Sequence, residues 1–251
     1  GLYCWLEAFN IGPGDEVIVP NLTFIATSNA VLMTGATLVL CEVNQDDMCI
    51  DINKLEKLIN KKTKAVIPVH LYGNCCNMKE IIKFKKKYKF AVIEDAAQAL
   101  GVRYKDKHVG NFGDCGGFSF YGNKIMTTGE GGIIITNNKN LAKKIYKLKN
   151  HGRDKKGIFK HQSIGFNFMF TELQAALGIS QLNKLDKIVK KRDQIFNFYC
   201  KNINDKNKIK LHLNDKSIKP LHWFVNITAK NISKISRELK KIGFQTRKLF
   251  Y

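Results

Sequence analysis

The chain is organised around residues 116–132, which read GGFSFYGNKIMTTGEGG. An apolar segment, residues 116–120, leads into a polar turn with Lys124, and the apolar segment 132–136 follows the glycines. Burial of a lysine ammonium costs several kcal/mol unless the group is paired or its pKa falls. A lysine held between buried strands is often a nucleophile that forms a Schiff base, although most lysines point to water. The rest of the sequence decides between these two interpretations of Lys124.

Apolar and amphipathic segments alternate along the first half of the chain. The apolar segments predict strands, and their continuous apolar character is typical of parallel strands that are buried on both faces. We therefore expect an α/β fold with a mostly parallel central sheet flanked by helices. Strands are predicted at 16–20, 37–42, 65–69, 90–94, 116–120 and 132–136, and helices at 1–10, 24–33, 51–60 (capped by Asp51 or Asn53) and 78–88.

The character of the sequence changes after Ile135 and indicates a second, smaller α/β unit. A stretch rich in Asn, Lys and Asp, residues 202–217, predicts a linker or an exposed loop. The other elements are predicted as a helix at 140–150, a loop-rich region at 151–170, a helix at 171–199 that is broken near Leu185, a strand at 222–229, a helix at 233–242 and a strand from 244 onward.

These elements divide the chain into a large domain, residues 1–185, and a linking helix with the start of a small C-terminal α/β domain, residues 186–251. The chain begins at Gly1 inside a predicted helix and ends at Tyr251 just after an apolar segment, so we expect both ends to be truncated. No run approaches the ~20 consecutive apolar residues of a membrane helix, and no secretory leader is visible.

The formal net charge of +21 invites a nucleic-acid interpretation. However, most of the positive charge is lysine scattered over predicted helix faces, without an arginine–aromatic cluster, so nucleic-acid binding is not favoured. A basic surface still suits an anionic small substrate such as a nucleotide. Seven cysteines without a CxxC pair indicate thiols in a reducing cytoplasm, and Cys75 with Cys76 is too small a set to predict a metal site.

Polar residues stand at the ends of several predicted strands, the edge where ligands bind in such sheets. Asp95 follows one strand, and Ser119 and Lys124 lie at the end of another. A buried carboxylate needs a cation or a proton donor, and the protonated pyridine nitrogen of pyridoxal 5'-phosphate (PLP) is one such partner. The three residues fit a PLP site, although a helix cap or an ion pair would explain Asp95 alone equally well.

Six motifs occur in order along nearly the whole chain. They are GPGDEVIVP (12–20), LTFIAT (22–27), IEDAAQA (93–99), FSFYGNK (118–124), TGEGG (128–132) and ELQAALG (172–178). With these motifs the sequence resembles the DegT/DnrJ/StrS family of PLP-dependent nucleotide-sugar aminotransferases. That resemblance implies the type I PLP-dependent aminotransferase fold.

The resemblance also implies the roles of individual residues. Lys124 would form the internal aldimine with PLP and carry protons during transamination, and Asp95 would keep the pyridine nitrogen protonated. Phe24 would stack on the ring face, Gln98 would contact the ring hydroxyl, and Ser119 would bind the cofactor phosphate. Lysine rather than histidine at position 124 favours aminotransfer over the dehydration that some relatives carry out.

Two further features concern the dimer and the phosphate. Asn167 stands where the family sends an Asn across the dimer interface towards the phosphate, which implies a homodimer with shared active sites. Met169 takes the place of an arginine in the family's Asn-aromatic-Arg-Met pattern. The family's Gly-Thr phosphate-binding motif would lie immediately before Gly1.

Within the family, residues 121–124 and 127–132 are similar to the perosamine-synthase branch, whose substrate is GDP-4-keto-6-deoxymannose. His222-Trp223, Thr246-Arg247 and Phe250-Tyr251 resemble the same branch. The resemblance implies transamination of that nucleotide-linked sugar with glutamate as amino donor, in amino-sugar and O-antigen polysaccharide biosynthesis. Three alternatives stay open: a UDP- or dTDP-linked keto sugar, a 3-amino product, and a catalytically silent PLP-fold binding or regulatory protein, which Met169 slightly favours.

Several other polar residues are interpreted more simply. His70 is expected to make a structural contact near the cofactor edge. His151 and His161 are expected to be ordinary surface residues, with a reach into the active site of a partner chain as the alternative. Glu130 either orients the turn after Lys124 or is solvated. Arg247 could meet a substrate phosphate.

Overall fold

The secondary structure comes from a computed structural model that describes residues 1–155, 157–203, 208–212 and 217–250. The strands in these ranges are β1 (Glu16–Pro20), β2 (Thr37–Cys41), β3 (Thr63–Val66), β4 (Ala91–Asp95), β5 (Arg103–Tyr104), β6 (Lys107–His108), β7 (Cys115–Ser119), β8 (Gly132–Ile135), β9 (Ile209–Leu211), β10 (Ile218–Lys219) and β11 (Ile227–Ala229). The helices are α1 (Leu2–Ala8), α2 (Ala26–Met33), α3 (Ile52–Leu58), α4 (Met78–Tyr88), α5 (Lys139–Lys149), α6 (Glu172–Leu182), α7 (Leu185–Asn202) and α8 (Ile232–Lys241).

A six-stranded sheet with the order β2-β1-β3-β4-β7-β8 forms the centre of the fold. Five strands are parallel, and only β8 runs antiparallel to its neighbour β7. In this register Asp95 at the end of β4 lies opposite Gly117, and Ser119 at the end of β7 lies opposite Gly132. The antiparallel return of β8 keeps the segment between Ser119 and Gly132 at the carboxyl edge of the sheet.

Helices cover both faces of the sheet because its strands are apolar on both sides. One face packs α3 and α4 through Leu55 and Ile81 against Ile18 of β1. On the other face, α1 and α5 pack through Leu6 and Ile145. They contact the strand residues whose side chains point away from the first face. The predicted α/β fold with a mostly parallel sheet between helices is confirmed.

Local signals set the ends of the helices. The side chain of Asp51 accepts a hydrogen bond from the Asn53 N–H at 2.8 Å, so Asp51 is the N-cap of α3. Thr171 and Gln174 form a reciprocal capping box at the start of α6. The break predicted near Leu185 is present, since α6 ends at Leu182 and α7 begins at Leu185. None of the helices in the described ranges has the length and apolar character that crossing a bilayer requires.

The second half of the chain differs from the prediction in three places. The predicted linker 202–217 contains the strand β9, while residues 204–207 and 213–216 lie outside the described part of the chain. The strand predicted at 222–229 is reduced to β11, which pairs with β9. No strand forms in residues 244–250, and the strand prediction there was wrong. An apolar run becomes a strand only where a partner strand takes up its main-chain hydrogen bonds.

Most cysteine side chains lie in the core. Six of the seven are buried, and no disulfide joins cysteines in the ranges that the structure describes. The Cys75 thiol donates to the Cys76 carbonyl at 3.2 Å, and the Cys76 thiol donates to the Val69 carbonyl at 3.1 Å. Burial raises the pKa of Cys41 to about 12. These thiols therefore act as small apolar groups of the core.

Candidate active site

A large cleft opens at the carboxyl edge of the central sheet. Its volume is about 2410 Å³. Parallel strands bring their carboxyl ends together at one edge, so residues far apart in sequence meet there. All six residues assigned from the sequence line this cleft: Phe24, Asp95, Gln98, Ser119, Lys124 and Asn167.

Asp95 is the last residue of β4 and is buried. One carboxylate oxygen accepts a hydrogen bond from the Thr27 hydroxyl at 2.8 Å, and the other accepts from the Ala97 N–H at 3.1 Å. The main chain of Asp95 is held by two hydrogen bonds. Its N–H donates to the Pro68 carbonyl, and its carbonyl accepts from the His70 N–H. Since each carboxylate oxygen can accept a second hydrogen bond, Asp95 keeps acceptor capacity for a ligand in the cleft.

Glu94, next to Asp95, is completely buried and holds the region together. The Cys76 N–H donates to Nδ1 of His70, so the imidazole carries its proton on Nε2, which donates to Glu94 at 3.0 Å. The structural role expected of His70 is confirmed. The other donors to the Glu94 carboxylate are the main-chain N–H groups of Gly110, Phe112 and Gly113, at 2.8, 2.6 and 2.6 Å.

Substitution of Glu94 by glutamine is expected to lower the free energy of unfolding by about 1–3 kcal/mol, because an amide N–H would face main-chain donors that lose their acceptor. Burial by itself raises the pKa of Glu94, but the hydrogen bonds from His70, Gly113 and Gly110 outweigh burial and leave that pKa below its usual value. A lowered pKa stabilises the fold above about pH 5, and this contribution is lost as the pH falls through the folded-state pKa.

Urea denaturation at pH 7 and at pH 4 measures this effect. The difference between wild type and Glu94→Gln should be large at pH 7 and smaller at pH 4. Glu42→Gln is the matched control, because Glu42 forms an exposed salt bridge with Lys54. An equal loss of stability in both variants would contradict the prediction.

Lys124 lies in the segment between β7 and β8. The turn is held by hydrogen bonds from the Lys124 N–H to the Tyr121 carbonyl at 3.0 Å and from the Thr128 N–H to the Phe120 carbonyl at 2.9 Å. The side chain is half-buried. Burial lowers the pKa of the Lys124 amine, and the negative charge of Asp95 offsets that effect only in part. A lysine with a lowered pKa has more of the neutral, nucleophilic amine at a given pH.

Ser119 and Gln98 each have a side-chain donor left for a ligand in the cleft, the hydroxyl proton of Ser119 and the amide N–H₂ of Gln98. The Ser119 hydroxyl accepts from the Tyr121 N–H at 3.2 Å, so its own proton can be donated elsewhere. The Gln98 side-chain oxygen accepts from the Tyr72 N–H at 2.8 Å, which leaves the amide N–H₂ group. Tyr72 adopts the left-handed conformation with φ of 52° to make this contact.

Phe24 and Asn167 lie at the rim of the cleft. The Phe24 side chain is 56% exposed and meets the edge of the Phe250 ring, with centroids 6.0 Å apart. Asn167 is exposed and forms an isolated antiparallel bridge with Asn150. Both side chains are therefore available to a ligand or to another chain.

Other residues singled out from the sequence play local roles. Nδ1 of His161 lies 2.8 Å from the His151 carbonyl oxygen in an exposed loop. The Glu130 side chain is exposed, while its carbonyl accepts from Gln174 Nε2 at 2.9 Å, so its main chain fixes the turn after Lys124. Arg247 lines the cleft.

Two contacts of the site were missed in the sequence. Thr27 lies in the LTFIAT motif (22–27), but its hydrogen bond to Asp95 joins residues 68 positions apart, so the motif alone does not predict it. The centroid of the Trp223 ring lies 4.4 Å from Nζ of Lys124. The sequence around Trp223 contains no motif that predicts a contact with this lysine.

The model of the DegT/DnrJ/EryC1/StrS aminotransferase family matches residues 1–251. This chain belongs to that family. The GDP-perosamine synthase of Escherichia coli O157:H7 is 39% identical over 253 residues, covering 100% of this chain and 69% of that protein. The GDP-perosamine synthase of Caulobacter vibrioides is 46% identical over 198 residues, covering 79% of this chain and 53% of the relative.

A solved structure of S. venezuelae DesV in complex with a ketimine intermediate superposes with a TM-score of 0.92 at 33% identity. It covers 96% of this chain, which spans 65% of DesV. The fold is therefore that of the type I PLP-dependent aminotransferases, and PLP is the cofactor of this family member.

The residues of the cleft fit PLP. A lysine amine, a buried carboxylate and a hydroxyl that can donate its proton are the groups that an aldehyde, a pyridine nitrogen and a phosphate require. Lys124 would hold the aldehyde carbon, Asp95 the ring nitrogen and Ser119 the phosphate.

The lowered pKa of Lys124 predicts how cofactor uptake depends on pH. In the cofactor-free protein, the rate of covalent attachment of PLP to Lys124 should rise with pH and level off below pH 10.5, because only the neutral amine attacks the aldehyde. Borohydride trapping followed by peptide mass spectrometry measures the rate at each lysine. The exposed Lys83 serves as the internal control, and a Lys124 rate that keeps rising beyond pH 10.5 would contradict the prediction.

Proposed function

We propose that the protein transfers an amino group from glutamate to the keto carbon of GDP-4-keto-6-deoxymannose and so forms GDP-perosamine for surface-polysaccharide biosynthesis. The observation that carries this proposal is the half-buried amine of Lys124 in one cleft with the buried carboxylate of Asp95. The names of the relatives support the nucleotide sugar, since the E. coli, C. vibrioides and Vibrio cholerae proteins are all GDP-perosamine synthases.

Each residue of the cleft has a task in this reaction. PLP supplies a pyridinium ring that draws electrons from the carbon next to the amino group. Asp95 keeps the ring nitrogen protonated by its negative charge, and Lys124 removes and returns the proton at the reacting carbon. Ser119 donates to the phosphate and Gln98 donates its amide N–H to the ring hydroxyl. Phe24 packs against the ring face and excludes water.

A substrate panel tests this function. The purified protein, loaded with PLP, is given glutamate and 4-keto-6-deoxy sugars linked to GDP, UDP or dTDP, and the amino-sugar products are identified by mass spectrometry and NMR. We expect conversion of the GDP-linked sugar to the 4-amino product at the highest kcat/KM. Conversion of none of them would overturn the proposal and favour a silent PLP-fold protein.

One observation favours a second substrate class. A UDP-N-acetyl-3-dehydro-alpha-D-glucosamine 3-aminotransferase of Acidithiobacillus ferrooxidans is 43% identical over 173 residues, 68% of this chain. A UDP-linked 3-keto sugar is therefore the alternative, and the same panel distinguishes it by the nucleotide and by the carbon that receives the amino group.

We also propose that the protein works as a homodimer with shared active sites. Exposed apolar side chains on α6 and on the loop before it support a second copy as the partner, since patches of this kind mark interfaces. Asn167 lies in the same region and is exposed. The most exposed of these side chains are Phe159 at 82%, Ile164 at 85% and Leu173 at 85%.

Mixing of inactive variants tests the shared site. Lys124→Ala and Asn167→Ala chains are combined, because a mixed dimer would contain one site with an intact lysine and an intact partner asparagine. Recovery of activity above that of either variant is expected, whereas sedimentation of the wild type as a monomer would overturn the dimer. Leu173→Asp should shift the sedimentation coefficient towards the monomer.

The division of the chain at residues 185 and 186, and a cytoplasmic location, are proposals as well. The gap between α6 and α7 supports the division, although β10 pairs with β5 and so ties the second segment to the first. The buried thiols support a reducing compartment such as the cytoplasm. Limited proteolysis and fluorescence imaging of a tagged protein test the two statements.

A further inference from the structure

The aromatic ring of Trp223 contacts the Lys124 amine. The ring centroid lies 4.4 Å from Nζ of Lys124, and Trp223 as a whole residue is 5% exposed. The indole N–H donates to the carbonyl of Asn123, the residue before the lysine, at 3.1 Å. One side chain thus contacts both the main chain of the turn and the charged end of Lys124.

Trp223 is itself held by two separate parts of the fold. Arg192 of α7 donates from Nη1 to the Trp223 carbonyl at 3.3 Å. The neighbouring Leu221 donates its N–H to the Gly73 carbonyl at 3.0 Å. Gly73 has φ of +80°, and a Cβ atom there would lie 1.8 Å from the Leu221 carbonyl oxygen, so this close approach requires glycine. The main chain around Trp223 is therefore held by contacts that lie outside the turn that carries Lys124.

We propose that Trp223 is a positioning residue for Lys124, which fixes the lysine turn through its indole N–H and stabilises the protonated amine through its ring face. A cation over the face of an indole is attracted by the ring quadrupole, and the attraction is strongest where water is excluded. Burial disfavours the ammonium form of Lys124 and lowers its pKa. The Trp223 ring has the opposite effect, because its attraction for the cation stabilises the protonated amine.

The catalytic importance of this contact rests on the proposed function. Lys124 has to hold a proton between its removal from one carbon and its delivery to the next. The Trp223 ring holds the ammonium group in one position during that interval, in the cleft that Asp95 also lines. No bond to Trp223 forms or breaks, and the proton stays on Nζ.

Titration of Lys124 in the cofactor-free protein tests the inference without any substrate. The rate of reductive methylation of Lys124 is followed against pH by peptide mass spectrometry in wild type, Trp223→Phe and Trp223→Leu. Leucine keeps the site apolar but removes the ring, so we expect the Lys124 pKa to fall by about one unit, a tenfold loss of proton affinity. Phenylalanine keeps a weaker ring and should give a smaller fall in the Lys124 pKa.

A second lysine–aromatic pair provides the matched control. Nζ of Lys107 lies 4.8 Å from the Phe112 ring, and neither residue lines the cleft. Phe112→Leu should leave the Lys124 pKa unchanged. An unchanged or raised Lys124 pKa in Trp223→Leu would overturn the proposal. If that variant does not fold in urea titrations, an unchanged Lys124 pKa in Trp223→Phe would overturn it instead.

Turnover separates this inference from the proposed function. In the PLP-loaded enzyme, loss of Trp223 should lower kcat more than it raises KM for the nucleotide sugar, and pH profiles of kcat should shift with the Lys124 pKa. If wild type converts no nucleotide sugar but the Lys124 pKa falls as expected, the proposed function fails and the positioning role stands.

Discussion

Replacement of Lys124 by alanine is expected to lower kcat for transamination by roughly 10³–10⁴-fold, because the variant loses both the nucleophile and the proton carrier of the site. The absorbance of covalently bound PLP should disappear, and borohydride should no longer attach the cofactor to the chain. Turnover of the nucleotide sugar and the absorption spectrum of the purified protein measure these two results.

Lys83→Ala is the control for this experiment, since Lys83 forms an exposed salt bridge with Glu80 on α4. This variant should keep the turnover and the spectrum of the wild type. Turnover of Lys124→Ala within tenfold of wild type, or reductive trapping of PLP elsewhere on the chain with full activity, would contradict the assignment of Lys124.

Substitution of Asp95 by asparagine is expected to lower kcat by roughly 10²–10³-fold, because a neutral amide no longer stabilises the positive charge on the ring nitrogen. The fold should survive, since the asparagine oxygen can accept from the Ala97 N–H while the amide N–H₂ donates to the Thr27 hydroxyl, which can also act as an acceptor. Steady-state kinetics measure the loss of kcat, and the urea midpoint shows whether the fold is intact.

The matched control is Asp46→Asn, because Asp46 forms an exposed salt bridge with Lys210. It should leave kcat unchanged. An Asp95→Asn enzyme that binds PLP and keeps wild-type kcat would show that the carboxylate does not act on the ring. A loss of activity that is fully restored by excess PLP would assign Asp95 to cofactor retention alone.

The central fold could be predicted because its signals are local. Apolar runs of four or five residues gave the six strands of the central sheet to within a few residues. The cap at Asp51 and the break before Leu185 were also visible, since capping and helix interruption depend on neighbouring residues. Small strands were missed because their partners are distant: β10 pairs with β5, more than a hundred positions earlier.

The β5–β6 hairpin shows a second reason for a missed element. Its turn passes through Lys105 and Asp106 with φ of 46° and 62°, values that the favoured two-residue hairpin turns usually reach with Asn-Gly or Asp-Gly. Neither residue is a strong signal for such a turn. The main-chain pairing of the strands, rather than the local preference of the turn residues, therefore decides this hairpin.

The residues of the cleft also differ in whether local sequence signals predict their positions. Asp95 and Ser119 could be placed from the sequence, because the end of a parallel strand is a position that the strand pattern itself defines. Trp223 could not, since its contact with Asn123 spans 100 positions and depends on how the second segment packs on the first. The hydrogen bond between Gln98 and Tyr72 was also hidden, because it needs a left-handed tyrosine that no sequence rule predicts.

The antiparallel direction of β8 limits how this part of the chain can change in evolution. A parallel return would need a crossover of a dozen or more residues, usually with a helix, and such a connection can absorb an insertion. The segment from Ser119 to Gly132 leaves and re-enters the same edge of the sheet and contains no helix. One inserted residue would displace the chain by about 3.3 Å, enough to carry the Lys124 amine out of reach of its partners. Variation in length should therefore accumulate in other loops of related sequences and spare this one.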